Sequence, residues 1–421
     1  MVDGQYWIET LGCPKNEVDS DKLVGTLDSD GMVPAARPED ADLVVVNTCA
    51  FIESARQESI DTVLALSDRA DDAKVVVTGC MAERYGDELA AALPEVDSVA
   101  GFGVPVTLGR KPTEPAIPSF DLLNLPRPAS ARPWAYVKVA EGCDRNCGFC
   151  AIPTFRGPQR SRTHESILDE VRHLKAKEVV LVAQDLAAFG RDQGQGERSL
   201  VQLIGEVDEL VERVRLLYLY PSDLTEELIE SILRTGVPYF DLSLQHVSPP
   251  LMRRMRRWGN GDKFLERIGR IRELEPSAAF RSNFIVGYPG ETEADHDALL
   301  DFVEQAQLDW CGFFAYSKED GTYAADLDGE VAPELVSERL RELSEIQDDI
   351  TAARRDLLIG TTVSVLVDEA GIGRSHREAP EIDGIVHVRE DLTVGELHDV
   401  EIVNALGPDL LGEGAAVEAL S

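Results

Sequence analysis

Seven cysteines are spread through the 421 residues, and their spacing is where chemistry first shows. Cys143, Cys147 and Cys150 form CxxxCxxC, so three thiolates can reach one iron–sulfur cluster and leave one iron without a protein ligand. Such an iron is a place for chemistry. A structural zinc site wants four closed ligands, and the next candidate, His164, lies fourteen residues past Cys150. Zinc and idle thiols remain as alternatives, and the spacing favours the cluster. Cys13, Cys49 and Cys80 are distant in sequence, yet each follows a run of strand-like residues. Cys311 stands alone in WCGFF, where a free cysteine behaves as a small buried hydrophobe. An odd number of cysteines in a chain this long points to metal or redox use rather than disulfide staples.

The elements that must position these thiols can be read from periodicity. Strand Tyr6 to Leu11, helix Glu17 to Asp28, strand Leu43 to Val46, helix Ile52 to Leu66 and strand Lys74 to Thr78 make βαβαβ with a parallel sheet. Cys13, Cys49 and Cys80 then fall just beyond the carboxyl ends of its three strands, where open α/β sheets place their ligands. From Lys111 to Pro133 proline is dense enough to block helix and internal strand, which gives an interdomain linker, 116–133, after a first domain of 1–115. Six strand-like runs follow: Tyr136 to Ala140, Val179 to Ala183, Arg215 to Tyr220, Phe240 to Leu244, Phe280 to Val286 and Gly312 to Tyr316. Alternating with helical stretches over 134–358, they predict a partial TIM-like (β/α)6 barrel. Glu334 to Leu357 reads as an amphipathic connecting helix. Short strands at Thr362 to Val367, Gly384 to Val388 and Asp399 to Val403 predict a small all-β, OB-like barrel over 359–421. The fold class expected is therefore α/β with an all-β C-terminal domain.

Composition narrows the function. Lys+Arg 41 against Asp+Glu 77 gives a net charge of −36, which repels phosphate backbones and favours basic partners. No apolar run approaches a membrane span. The first fifteen residues carry Asp3, Glu9 and a single basic residue, Lys15, so a secretory or transit peptide is not expected and a cytoplasmic location is.

CxxxCxxC after the first strand of a βα barrel, with Phe149 before the last cysteine, resembles the radical S-adenosylmethionine superfamily. That resemblance implies an open iron chelated by the amino and carboxylate groups of S-adenosylmethionine, and reductive cleavage to a 5′-deoxyadenosyl radical, with Phe149 and Ile152 on the adenine side. TLGCPKNEVDS around Cys13, VVNTCAF around Cys49 and VTGCMAERY around Cys80, ahead of such a domain, resemble the methylthiotransferase family over nearly the whole chain. By resemblance Cys13, Cys49 and Cys80 ligate a second 4Fe-4S cluster that carries the sulfur to be inserted, and S-adenosylmethionine serves both as methyl donor and as radical source.

Further residues follow from strand ends. Gly287, Gly290 and Glu291 in NFIVGYPGET offer backbone freedom and an acid for a cofactor, or else an ordinary βα turn. Gln184 and Asp185 end the second barrel strand where many radical enzymes carry GGE, absent here; Gln184 is the candidate for the cofactor amino group. Of Ser243, Gln245 and His246, at most two can face the barrel interior, as cofactor contacts or as packing; Ser243 is the candidate. Arg156, Arg160 and Arg162 could clamp a carboxylate or form ion pairs. Arg253, Arg254, Arg256 and Arg257 read as an exposed helix face.

The substrate reading turns on charge and wording. The C-terminal segment resembles a TRAM domain, a barrel associated with RNA binding, yet from Gly360 to Ser421 its net charge is −10. Phosphate binding needs a basic footprint, so an acidic barrel suits a basic protein. Pro14 after Cys13, and GRSHREAPEIDG, resemble the branch of the family that methylthiolates the β-carbon of an aspartate in small-subunit ribosomal protein S-twelve, whereas the tRNA-modifying branch carries Gln at that position. The alternatives are tRNA adenosine methylthiolation and a non-enzymatic iron–sulfur ribosome adaptor. Radical chemistry without sulfur transfer would leave Cys13, Cys49 and Cys80 unexplained.

Overall fold

The computed structural model describes residues 4–69, 73–106, 121–194 and 198–415. Its N-terminal part runs β1 (Gln5–Thr10), α1 (Pro14–Ser29), β2 (Val33–Pro34), β3 (Leu43–Thr48), α2 (Glu53–Arg69), β4 (Lys74–Gly79), α3 (Cys80–Ala92) and β5 (Ser98–Val99). The strands form one parallel sheet in the order β2-β1-β3-β4-β5. β3 is buried along its whole length, as a continuous Leu-Val-Val-Val run covered on both faces must be. The βαβαβ reading holds, with two short edge strands added.

Between the sheet and the barrel, 116–120 lies outside the described residues. The described remainder of that linker is not loose. The carbonyls of Leu123 and Leu125 accept from the buried Lys22 of α1, and buried Arg127 pairs with Asp21 and Glu170.

The barrel follows as β6 (Trp134–Lys138), β7 (Ala140–Glu141), α4 (Ile152–Arg156), β8 (Arg160–Ser161), α5 (His164–Leu174), β9 (Glu178–Val182), α6 (Arg198–Asp208), β10 (Arg213–Leu216), α7 (Glu226–Arg234), β11 (Tyr239–Gln245), α8 (Pro249–Arg254), α9 (Gly261–Leu274), β12 (Ala279–Val286), α10 (Glu293–Ala306) and β13 (Trp310–Ala315). Thr163, Thr225 and Thr292 cap α5, α7 and α10 by accepting from the N–H three residues on, and Asp295 closes a capping box with Thr292. β6-β9-β10 and β11-β12-β13 are parallel, joined by a bridge between Leu219 and Leu242, so six strands make an open barrel. Alternation sorts them: Val137, Leu181, Val214 and Phe280 pack under the helices, while Tyr136, Val180, Leu217, Tyr239 and Trp310 line the interior.

That interior is completed from outside the barrel. Val18 of α1 and Ala379 belong to the same apolar cluster. Ala379 comes from the third part, α11 (Pro333–Asp356) leading to β14 (Thr362–Glu369), β15 (Ile372–Arg374), β16 (Val386–His387), β17 (Leu397–Leu406) and β18 (Asp409–Gly412), which close a five-stranded barrel. Its 375–384 loop seals the strand-start end of the (β/α)6 barrel, where Tyr136 Oη donates to Pro380 O at 2.7 Å and Trp310 Nε1 to Arg377 O at 2.6 Å. The strand ends at the other side meet the N-terminal domain, where Lys138 pairs with Asp19 of α1 and Arg156 with Cys80. Among the described residues no helix is long and apolar enough to cross a membrane.

Candidate active site

The N-terminal thiols are brought together by tight turns and two asparagines. Gly12 has φ +96°, and a Cβ there would stand 2.9 Å from Cys49 Cβ, so only glycine lets the Cys13 turn lie on Cys49. Gly79, at φ +89°, seats Cys80 in the same way against Asn47 and Thr48. Asn16 donates to the carbonyls of Leu11 (2.9 Å) and Thr48 (3.1 Å), and Asn47 donates back to Asn16 O at 2.8 Å. The loops after β1, β3 and β4 are thereby locked side by side.

Their electrostatics differ. Burial raises the Cys49 thiol to about 12, with Cys13 and Cys80 close enough to add to the rise. Burial also raises Cys80. For Cys13 burial is outweighed by Lys15, by Arg156 and by the N–H groups of Asn16 and Lys15, so its pKa is lowered.

The barrel thiols lie on the loop between β7 and α4. Cys143 N donates to Gly157 O (3.1 Å), Gly148 N to Met255 O (2.8 Å) and Ala324 N to Gly148 O (2.7 Å), so backbone bonds fix the loop at both ends. Burial raises Cys143 to about 11 and Cys150 to about 12, and neighbouring thiols reinforce both shifts. Arg257 donates to Cys147 Sγ at 3.1 Å and also to Ser243 O.

A charged bridge joins the two groups. Arg156, at the end of α4, donates to Cys80 Sγ (2.9 Å) and Asn16 Oδ1 (2.8 Å) on the N-terminal side and to Glu141 (2.8 Å) on the barrel side. Glu141 also accepts from Lys138 (2.7 Å) and Gln184 (2.6 Å), and Arg156 and Lys138 hold it far below the usual carboxylate range against its burial. Lys138 reaches on to Asp19 of α1. Arg145 pairs with Asp185 (2.6 Å) and Asp223 and lies over Tyr220, 3.8 Å from the ring centroid.

The remaining expected residues are distributed as follows. Gln184 Oε1 is buried and, among the described residues, has no hydrogen-bond partner, while its Nε2 donates to Glu141. Ser243 lies on the interior face of β11, next to the Arg257 and Cys147 contact. His246 is fully buried, with Nδ1 accepting from Ser248 N–H. Phe149 is half-buried against Leu251, Met255, Tyr288 and Ala324. Gly287 and Glu291 form a closed turn: Glu291 accepts from Gly287 N–H (2.6 Å) and Tyr288 N–H (3.2 Å) and pairs with Arg339 (2.8 Å), while Gly287 packs on Val336. Between them, Tyr288 Oη donates to Arg254 O at 3.1 Å. Cys311 faces the helix layer. Arg160 and Arg162 form ion pairs with Asp121 and Glu170. Sequence reasoning misses Asn16, Asn47 and Arg257; the asparagines stand inside the quoted cysteine phrases, and Arg257 reads linearly as part of an exposed face.

Among the described residues no three His, Cys, Asp or Glu side chains converge on a point that one metal ion could occupy. Three thiols per group, guanidinium donors aimed at Cys80 and Cys147, and the open Gln184 acceptor fit iron–sulfur clusters and S-adenosylmethionine.

The comparisons agree with this arrangement. The uncharacterized protein family UPF0004 matches residues 5–101, the radical SAM superfamily 137–303 and the TRAM domain 359–414. The proteins named ribosomal protein uS12 methylthiotransferase RimO from Cutibacterium acnes and Moorella thermoacetica are each 41% identical, over 96% of this chain and 97% and 98% of theirs. That of Saccharopolyspora erythraea is 42% identical over 96% of this chain and 93% of its own. Among solved structures, the radical S-adenosylmethionine methyltransferase TsrM of Kitasatospora setae is similar at a TM-score of 0.48, with 15% identity over 73% of this chain and 72% of that one. With two groups of three thiols linked through Arg156, and relatives about 40% identical over 96% of its length, the chain belongs to the RimO family of radical S-adenosylmethionine methylthiotransferases.

Proposed function

We propose that this protein methylthiolates the β-carbon of one aspartate in ribosomal protein uS12, using two 4Fe-4S clusters and S-adenosylmethionine. Cys143, Cys147 and Cys150 would hold one cluster and Cys13, Cys49 and Cys80 the other. With S-adenosylmethionine they supply one-electron cleavage to a primary carbon radical and a methylated sulfur, which an unactivated C–H bond requires and side-chain acids and bases cannot provide. A ribosomal substrate goes with a cytoplasmic location.

One observation supports the reading: Arg156 touches Cys80 Sγ and Glu141 at once, and Glu141 stands two residues before Cys143, so one ion-pair network links the two thiol groups. Sulfur insertion needs that proximity; radical chemistry alone does not. This chain's residues then have definite tasks. Arg257 neutralises charge at Cys147, and Arg156 does so at Cys80. Gln184 Oε1 accepts from the cofactor amino group, Ser243 and Phe149 border the cofactor, and the turn at Gly287 and Glu291 keeps the end of β12 in place.

Substrate charge supports the protein rather than the RNA reading. In the C-terminal barrel Glu369, Glu390, Asp391, Glu396, Asp399, Glu401 and Glu413 are exposed. Arg374 is buried toward the (β/α)6 barrel, and exposed Arg389 is tied to Asp391. The outer face of this barrel is therefore acidic and meets a basic protein without repulsion.

The test is anaerobic reconstitution followed by product analysis in two variants. Cys147→Ala should form no 5′-deoxyadenosine; Cys49→Ala should form it without any methylthio product. Equal loss of cleavage in both, with folding intact, contradicts the division of labour.

A further inference from the structure

Lys15 follows Cys13 by two residues, in the first turn of α1, and its Nζ lies 3.3 Å from the centroid of the Tyr218 ring, just past the end of β10. The residue is only 7% exposed, and among the described residues its ammonium makes no hydrogen bond and no ion pair. The other buried lysines are fully matched: Lys22 by two carbonyls and Glu170, Lys138 by Asp19 and Glu141. Burying N–H donors without acceptors is disfavoured, and a ring face compensates only in part.

Nearby carboxylates are already engaged. Asp241 accepts from Tyr218 N–H (2.8 Å) and pairs with Arg281 (3.3 Å), and Glu141 is shared by Lys138, Arg156 and Gln184. Tyr218 itself is held at φ +65°, a left-handed conformation that a bulky side chain rarely adopts. The fold thus sets a strained aromatic shelf under a buried amine whose three N–H donors meet no acceptor among the described residues, two positions from the Cys13 sulfur.

We propose that Lys15 binds the carboxylate of the target aspartate. The assignment rests on the uS12 reading above and deepens it. The carboxylate carbon is bonded to the β-carbon, so pairing it with Lys15 sets the reacting carbon beside Cys13, on the sulfur-donating side. It predicts selection of aspartate over asparagine, because a carboxylate accepts from the buried N–H donors more strongly than a neutral amide does.

The test compares binding of two uS12 peptides, one with the target aspartate and one with asparagine in its place, to reconstituted holoenzyme. The unaltered enzyme should bind the aspartate peptide about tenfold or more tightly. Lys15→Met should bring that ratio close to one, and Lys15→Arg should retain most of it, with cluster EPR signals and iron content equal to those of the unaltered enzyme. An unchanged ratio in Lys15→Met overturns the assignment, as does loss of the Cys13-side cluster signal, which would make Lys15 a cluster-holding residue. The peptide pair on the unaltered enzyme needs no variant to fold: absence of preference there also overturns it. Failure of the unaltered enzyme to methylthiolate the aspartate peptide at all is a different result, and it removes the uS12 reading and this assignment together.

Discussion

Arg257 shows how a single side chain gains a role that spacing hides. Read linearly, it is the last of four arginines at the end of a short helix. The chain turns after α8, with Arg256 at φ +54° and stacked over Tyr323, and this reversal carries Arg257 back to Cys147. A guanidinium donating to a ligand sulfur stabilises the more negative, reduced cluster. Arg257→Met should therefore lower the reduction potential of the barrel cluster by on the order of 60 mV, the one-electron equivalent of a tenfold change. An EPR-monitored redox titration measures it, and an unshifted potential would remove Arg257 from the site. The two groups of three cysteines were legible because thiols at strand ends and in CxxxCxxC need no tertiary knowledge. Asn16 and Arg257 were not, since their function lies in which loop they reach across to.

At the scale of elements, periodicity fixed the order of strands and helices, while tertiary contacts fixed their ends. The strand expected over Arg215 to Tyr220 stops at Leu216, because Tyr218 adopts a left-handed conformation and turns its ring under Lys15. The turn between β1 and α1 depends similarly on Gly12. Gly12→Ala would force a Cβ into Cys49 and strain the backbone by about 1–3 kcal/mol. The variant should lose iron from the Cys13, Cys49 and Cys80 group, measured as iron per chain after reconstitution; a full complement would show that the turn adapts. The lower rim of the barrel was invisible to sequence reading because its partners come from the C-terminal domain. Glu178 at the start of β9 pairs with Arg215 (2.7 Å) and Arg374 (3.1 Å). Burial alone would raise Glu178, but Arg374, Arg215 and Arg213 outweigh it and hold its pKa at about 2. Such a depressed carboxylate contributes stability that is complete above its ordinary value of 4.5 and is lost as pH falls toward 2. Glu178→Gln should cost about 3–5 kcal/mol near neutral pH, with the gap narrowing below pH 4.5. Thermal melts across that range check it; a pH-independent gap would contradict the assignment.

For the whole molecule, three domains act as one device. The N-terminal sheet edge meets the strand ends of the barrel, and the C-terminal domain seals the opposite end with its 375–384 loop while presenting an acidic face outward. The three-part architecture was legible from changes in periodicity, but the sealing loop was not, since its contacts are between residues far apart in sequence. An acidic docking face predicts that binding of the basic uS12 weakens as salt rises, whereas bulk tRNA should bind weakly even at low salt. Titrations of both at two ionic strengths distinguish them, and salt-sensitive tRNA binding would reverse the reading. The most direct measurement is mass spectrometry of uS12 and bulk tRNA after incubation with anaerobically reconstituted enzyme, S-adenosylmethionine, reductant and sulfide. The account predicts a gain of about 46 Da, a methylthio group replacing hydrogen, on one aspartate of uS12 and none on tRNA. The same gain on a tRNA adenosine, with uS12 unmodified, would contradict it.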